Sequence, residues 1–424
     1  MRRAATPTLG GETRPRTRQV IAAWLLIAAG LGDGVATWLD ASYGLGSPWV
    51  ALLPIAGVAL LLVMWDRGEI PFALVAEALA FAAFGLVLLL AQLNAFSGVN
   101  LAGFTQLWLF ALLLLATRRL FAEATDGLAS AFTRAIVAAH YVVSGYLIAS
   151  FLLWLATGRD FSLIVLLTTF EARFDEIYGF RPAAFSREPA WAGFALMATY
   201  IAVYLLAPGE RLRGFVALVL GIAALRSGTV FLFVTLFVAA GILQRQSGMA
   251  RGWFFLIGLI GLAASVLIFR ERAVEVLSGA DPSALMRTDS ARVAWDVVTA
   301  SFPGGVGYGN FRDHAVYGPE FMNYINLADS DDYKSDVSIL NLAAELGAAG
   351  LLLYGWVASM LVRAGHPLLW GYLAAITFLA GGLLIPSVLI VGAVAGLYER
   401  QRRAEVRSLQ PLGLGRPFAV SQPA

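Results

Sequence analysis

The chain contains no cysteine, a single lysine (Lys334) and only three histidines in 424 residues. Without cysteine, disulfide frameworks and thiolate-ligated metal centres are excluded. Charge is also scarce. Only 14% of the residues are Asp, Glu, Lys or Arg, against roughly a quarter in an ordinary soluble domain. What fills the space is apolar: 59% of the sequence is hydrophobic. Many apolar runs approach or exceed the ~18 residues a helix needs to cross a bilayer. The runs are continuous and do not alternate apolar with polar, which excludes a membrane β-barrel. The N-terminus lacks a short apolar core with a small-residue cleavage site. Instead Arg2, Arg3, Arg14, Arg16 and Arg18 precede a long apolar run, which reads as a cytoplasmic tail before a retained helix.

The fold class expected from this pattern is an all-α polytopic membrane protein with about twelve transmembrane helices and two large extracytoplasmic loops. Residues 1–19 form the cytoplasmic tail and 20–157 the first five spans, starting with Val20 to Leu39. A loop at 158–188 is followed by spans six to nine over 189–268, with Pro189 suited to the first turn of its helix. Between Gly214 and Leu243 the apolar run is interrupted at Arg226–Ser227–Gly228. Arginines flank both ends of that run, so it reads as two short spans meeting near Arg226 on the outer side. The largest loop is 269–336, the last spans lie in 337–398, and 399–424 is a basic cytoplasmic tail. Each proposed inner segment carries arginine, so both termini are expected inside.

Charged or titratable residues deep in spans are few, chiefly Glu77 and His140. An unpaired charge at the bilayer centre costs roughly 2.5–3.5 kcal/mol on insertion scales. Glu77 must therefore be paired, protonated or beside water, while His140 reads as a packed neutral imidazole. A transporter would concentrate polar groups at the midplane on broken helices. This pattern favours chemistry at a membrane surface.

The most informative stretch runs from Ser290 to Leu351. Arg292, Trp295, Pro303, Gly305, Gly307, Gly309, Asn310 and Phe311 stand in the order R-x-x-x-W, then P-x-G-x-G-x-G-N-F. About thirty residues on, Leu340, Glu345, Gly347 and Gly350 make L-x-x-x-x-E-x-G-x-x-G. Glycines so closely spaced suit a phosphate-cradling loop, yet no strand–turn–helix unit surrounds them. Tight turns with positive φ explain them as well, with backbone donors to an anion left open. The Glu345–Gly350 segment falls within a span, where its glycines are expected to permit close helix packing.

Together these segments resemble the O-antigen ligase and polymerase superfamily of bacterial envelope enzymes. The resemblance covers roughly Phe185 to Trp356. It includes the arginine-bearing break at Leu225–Arg226–Ser227–Gly228 and the segment Ser186–Arg187–Glu188–Pro189, which is similar to one in the family's polysaccharide polymerases. The resemblance implies a glycosyltransferase C-like helical bundle in the bacterial inner membrane. It implies a donor saccharide linked through diphosphate to a polyprenyl lipid, attacked on the outer face by an acceptor hydroxyl with inversion. In polymerases the acceptor is the next lipid-linked unit; in ligases it is the lipid A core. No cofactor or resident metal is implied. The expected partners are the lipid-linked donor and acceptor, the bilayer and a chain-length regulator protein, with no nucleic acid.

Residue roles follow. A leaving diphosphate needs permanent positive charge, and Arg226 and Arg292 are the candidates; the plain alternatives are a snorkelling and a solvated arginine. Trp295 lies three positions from Arg292 on the same helical face. The acceptor hydroxyl needs a base. Where the family's ligases carry histidine, the position falls on Asp336, which also fits a helix cap. Glu188 and His314 are rival bases. Gly307, Gly309, Asn310 and Glu345 are supporting residues. Asp329, Asp331 and Asp332 read as a solvated acidic surface, with a divalent cation the alternative. A polymerase is the preferred function, a ligase the second, and a lipid-linked oligosaccharide flippase the third; small outer loops and a charged cavity would mark the last.

Overall fold

The computed structural model describes residues 14–45, 47, 49–68, 70–96, 98–163, 174–175, 179–180, 182–186, 189–225, 282–311, 314, 337–379 and 385–409. Apart from a two-residue antiparallel pairing of Phe174–Asp175 with Gly179–Phe180, the regular structure among these is helical. Six helices are long and apolar enough to cross a membrane, or seven if one bent pair counts as a span. The chain is an all-α polytopic membrane protein.

In chain order the helices are α1 (Thr17–Leu31), α2 (Asp33–Tyr43), α3 (Trp49–Arg67), α4 (Phe72–Ala95), α5 (Leu101–Ala122), α6 (Asp126–Thr157), α7 (Pro189–Leu206) and α8 (Arg211–Leu225). Then come α9 (Pro282–Ser301), α10 (Ser338–Val362), α11 (Pro367–Leu379) and α12 (Ser387–Leu409). Helix α7 and the first half of α12 are buried nearly all round, as an apolar helix without a polar face must be when it sits centrally. Helix α12 packs on α5 and α7, and α6 packs on α1, α7 and α8. Helix α4 is peripheral and mostly exposed along its apolar length. It is held to α5 by Trp108, whose ring stacks on Phe81 at 4.7 Å and whose indole donates to the Phe81 carbonyl at 3.1 Å.

Three expected boundaries move. The first span is not one helix: α1 and α2 meet at Gly32 with a bend of 72°. The bend lets the backbone at residues 183–186 approach, with the Gly34 N–H donating to the Phe185 carbonyl at 2.7 Å. A Cβ on Gly34 would sit 2.5 Å from that oxygen. The sequence places a polar inner segment up to Arg134 ahead of the fifth span; it is helical from Asp126, because Thr125 accepts from the Leu128 N–H and caps α6. The basic tail is helical through Leu409, continuing α12 beyond the bundle.

Polar bonds gather the charged ends of several helices. Asp66 accepts from Arg18 at 2.8 Å and from Gln19 at 2.5 Å, and Gln19 also reaches Thr125. Arg67 pairs with Glu123, Arg118 with Glu399, and Arg400 with Asp126. Glu77 pairs with Arg119 through both carboxylate oxygens, so the one acid inside the third expected span is matched by a fork of guanidinium donors. His140 is fully buried between the Thr199 hydroxyl at 3.0 Å and the Gly214 carbonyl at 2.9 Å, as a structural imidazole.

Candidate functional site

The two motif-bearing segments come together. Helix α9 ends where the Ser301 carbonyl accepts from the N–H groups of Gly304 and Gly305 at 3.0 and 3.1 Å. The chain from Pro303 to Phe311 then lies against a break in α10 at Gly347, whose φ of 60° and ψ of −137° leave the helix.

The break and the loop complete each other. In an unbroken helix the Ala348 N–H would donate to the Ala344 carbonyl. Here Ala348 donates to the Pro303 carbonyl at 2.9 Å, and the Ala344 carbonyl accepts from Val306 at 2.8 Å. Gly307 donates to the Glu345 carbonyl at 3.0 Å, and Gly309 to the Glu345 carboxylate at 3.2 Å. A backbone polar group left unpaired away from water costs several kcal/mol, so neither half of this arrangement is stable without the other.

The glycines of α10 therefore do not serve close packing of two helices, as their spacing suggests. A Cβ on Gly347 would lie 2.0 Å from the Pro303 carbonyl oxygen, and one on Gly350 would lie 2.0 Å from the Leu342 oxygen across the break. In the loop, Gly305, Gly307 and Gly309 have φ of 77°, 93° and 90°, the left-handed conformations that their spacing predicts.

The loop is anchored on a second side by α4 and α5. The Tyr308 N–H donates to the Gln92 side chain at 2.9 Å, and the Tyr308 carbonyl accepts from Asn100 at 2.8 Å. The Tyr308 ring is buried edge-on to Phe104 at 5.8 Å. Burial, then the nearby Glu345 carboxylate, push its phenol above the ordinary value, so it stays neutral. Asn310 donates from its amide to the Val306 carbonyl at 3.2 Å. Phe311 is buried with Val293, Ala294, Val298, Ala343 and Ala344, which fastens α9 to α10.

One count settles the phosphate-loop alternative. Every backbone N–H from Gly304 through Asn310 donates to an acceptor within the protein. None is left to cradle an anion. Any positive charge toward a diphosphate must come from side chains.

Arg292 projects from α9 into solvent, 3.9 Å from Asp289 one turn earlier. Trp295 is also exposed, at 57%, three residues on and on the same side as Asp296 and Thr299. An exposed indole beside an arginine on a helix face can stack on a sugar face while the guanidinium engages an anion. The stretch expected as open loop thus contains a helix of 20 residues. His314 is exposed; its N–H donates to the Asn310 carbonyl at 3.3 Å. Glu188, Arg226 and Asp336 lie outside the described residues, as do Asp329, Asp331 and Asp332.

The sequence reading passed over Gln92 and Asn100. The signal for Gln92 was present: it is a polar residue in the last turns of a mostly apolar helix, and it is 3% exposed. Asn100 is an N-cap, accepting from Gly103 at 2.8 Å. No protein-family model matches the chain, and a search of curated proteins finds no match.

Proposed function

We propose that the protein is a polysaccharide polymerase that joins saccharide repeat units carried on polyprenyl diphosphate. The observation that carries this reading is the interlock of Pro303–Phe311 with Ala344–Ala348. It holds α9, with Arg292 and Trp295 facing solvent, rigidly against the end of the bundle. A site mounted on a fixed element keeps its charge where a leaving group develops it.

In the proposed reaction an acceptor hydroxyl oxygen attacks the anomeric carbon of the donor. The bond from that carbon to the diphosphate oxygen breaks, its electron pair stays with the diphosphate, and the hydroxyl proton passes to a carboxylate. The configuration inverts. Arg292 and Arg226 meet the charge of the departing diphosphate; Asp336 is the base, with Glu188 and His314 the rivals. Trp295 supports the saccharide. Glu345, Gly307, Gly309 and Asn310 hold the loop rather than touch substrate. The topology that goes with this reading has about twelve spans, both termini cytoplasmic, an inner-membrane location and the 269–336 segment outside. A chain-length regulator is the expected protein partner.

Deletion of the gene followed by analysis of lipid-linked saccharides tests the proposal. A polymerase leaves single lipid-linked units. Accumulated full-length lipid-linked chains would identify a ligase instead. Arg292→Ala is expected to reduce polymer at least ~100-fold, the scale of losing a charge aimed at the transition state, with the protein still in the membrane. Normal polymer in that variant would overturn the assignment. Asp336→Asn should lose more activity than His314→Ala; the reverse order moves the base to His314.

A further inference from the structure

At the charged end of the bundle, the C-terminal half of α12 meets the end of α10 around a cavity of about 460 Å³. Arg363, Arg402, Arg403 and Arg407 line it, with Glu399, Val406 and Ala364. Glu399 is the one carboxylate among these lining residues, and it is engaged by both Arg118 and Arg403. The cavity is therefore strongly positive.

Its depth is set by the helix that carries it. Helix α12 is buried from Val388 to Leu397 and exposed from Arg402 to Arg407. The arginines begin where the apolar bundle ends, which is the level of lipid head groups. On the bundle side, Val362, next to Arg363 in the chain, and Trp370 are exposed. The Trp370 indole donates to the Val362 carbonyl at 3.3 Å, one residue before Arg363. An exposed tryptophan with its N–H held at the polar edge is the pattern of the membrane interface.

We propose that this cavity binds the phosphate of an anionic phospholipid, with the guanidinium groups on the phosphodiester and the acyl chains toward Val362 and Trp370. Several guanidiniums with little carboxylate to neutralise them suit a phosphate, and basic pockets at this depth are where anionic head groups dock. The apolar border distinguishes a lipid from free phosphate, which would leave it unused. The proposal does not depend on the chemistry at the opposite loops.

The test is thermal unfolding of the full-length protein in detergent, followed by tryptophan fluorescence. Phosphatidylglycerol, phosphatidylcholine or inorganic phosphate is titrated in. The expected result is a rise of a few degrees in Tm with phosphatidylglycerol and none with the other two. Arg402→Gln/Arg407→Gln should abolish the rise, while Arg134→Gln, an exposed arginine on α6, should keep it. Native mass spectrometry gives a second readout that needs no unfolding: the double variant should retain fewer phosphatidylglycerol molecules. An equal rise with phosphatidylcholine would overturn the proposal. So would a rise with inorganic phosphate alone, which marks a soluble-anion site, or an undiminished lipid effect in the double variant.

Discussion

His366 is a neutral histidine placed where protonation works against folding. It precedes α11, is 7% exposed, and its Nδ1 accepts from the Leu368 N–H at 3.2 Å. The Tyr398 ring meets it edge-on at 5.1 Å, and Tyr204 lies at 6.2 Å. Burial, then the Arg211 guanidinium, lower its pKa to about 4. The unfolded chain takes up a proton near the ordinary value of ~6.5, so between these two values the unfolded state binds more protons than the folded one. Stability attributable to His366 is complete above pH 6.5 and declines as pH falls toward 4, by a total on the order of 3 kcal/mol. His366→Asn keeps a side-chain acceptor for the Leu368 N–H and removes the titration. The wild-type Tm should therefore fall more steeply between pH 7 and pH 4.5 than that of the variant. Parallel curves would show that His366 does not carry the pH dependence.

Helix α10 shows how one element can carry two very different glycines. Gly347 sits at positive φ with its would-be Cβ inside contact distance of Pro303, whereas Gly355, two turns on, has nothing within 4 Å. Gly347→Ala should cost at least the ~1–3 kcal/mol of a strained backbone and release the 303–311 loop. Gly355→Ala should be neutral or stabilising by up to ~1 kcal/mol. Thermal unfolding of the two purified variants checks this, and equal Tm values would dismiss the interlock. Why the sequence announced the motif but not its geometry is physical. Spacing within L-x-x-x-x-E-x-G-x-x-G reports local possibilities, and close helix packing was one of them. The partner that fixes Gly347 is a carbonyl from Pro303, far away in the chain. By contrast, the start of α7 at Pro189 was readable, because proline suits the first turn of a helix, a local signal. The bend at Gly32 was hidden although Gly30, Gly32, Asp33 and Gly34 stand together, because what packs there is the backbone near Phe185, far along the chain. Glu77 was readable on energetic grounds as paired, protonated or beside water; only folding selects pairing and names Arg119.

At the scale of the whole molecule, the two ends of the bundle differ in kind. One end is laced by guanidinium–carboxylate pairs: Arg18 with Asp66, Arg67 with Glu123, Arg118 with Glu399 and Arg400 with Asp126. The contacts that join the loops elsewhere run mostly through backbone and neutral side chains, as Asn100 with Tyr308, Gly34 with Phe185 and Tyr146 with the Phe161 carbonyl, beside the Gly309 N–H on the Glu345 carboxylate. Arginine-rich segments are retained on the cytoplasmic side during insertion, so this asymmetry predicts which way the protein sits. The absence of cysteine makes the prediction direct to test, because a single introduced thiol has no background. Thr299→Cys lies on the exposed face of α9 and Ala404→Cys on the exposed end of α12. In intact spheroplasts a membrane-impermeant maleimide should label Cys at the α9 site and leave the α12 site unmodified until the membrane is opened. The reverse pattern would put α9 on the cytoplasmic side. A lipid-diphosphate donor displayed on the outer face could not then reach Arg292, and the polymerase proposal would fall with the orientation.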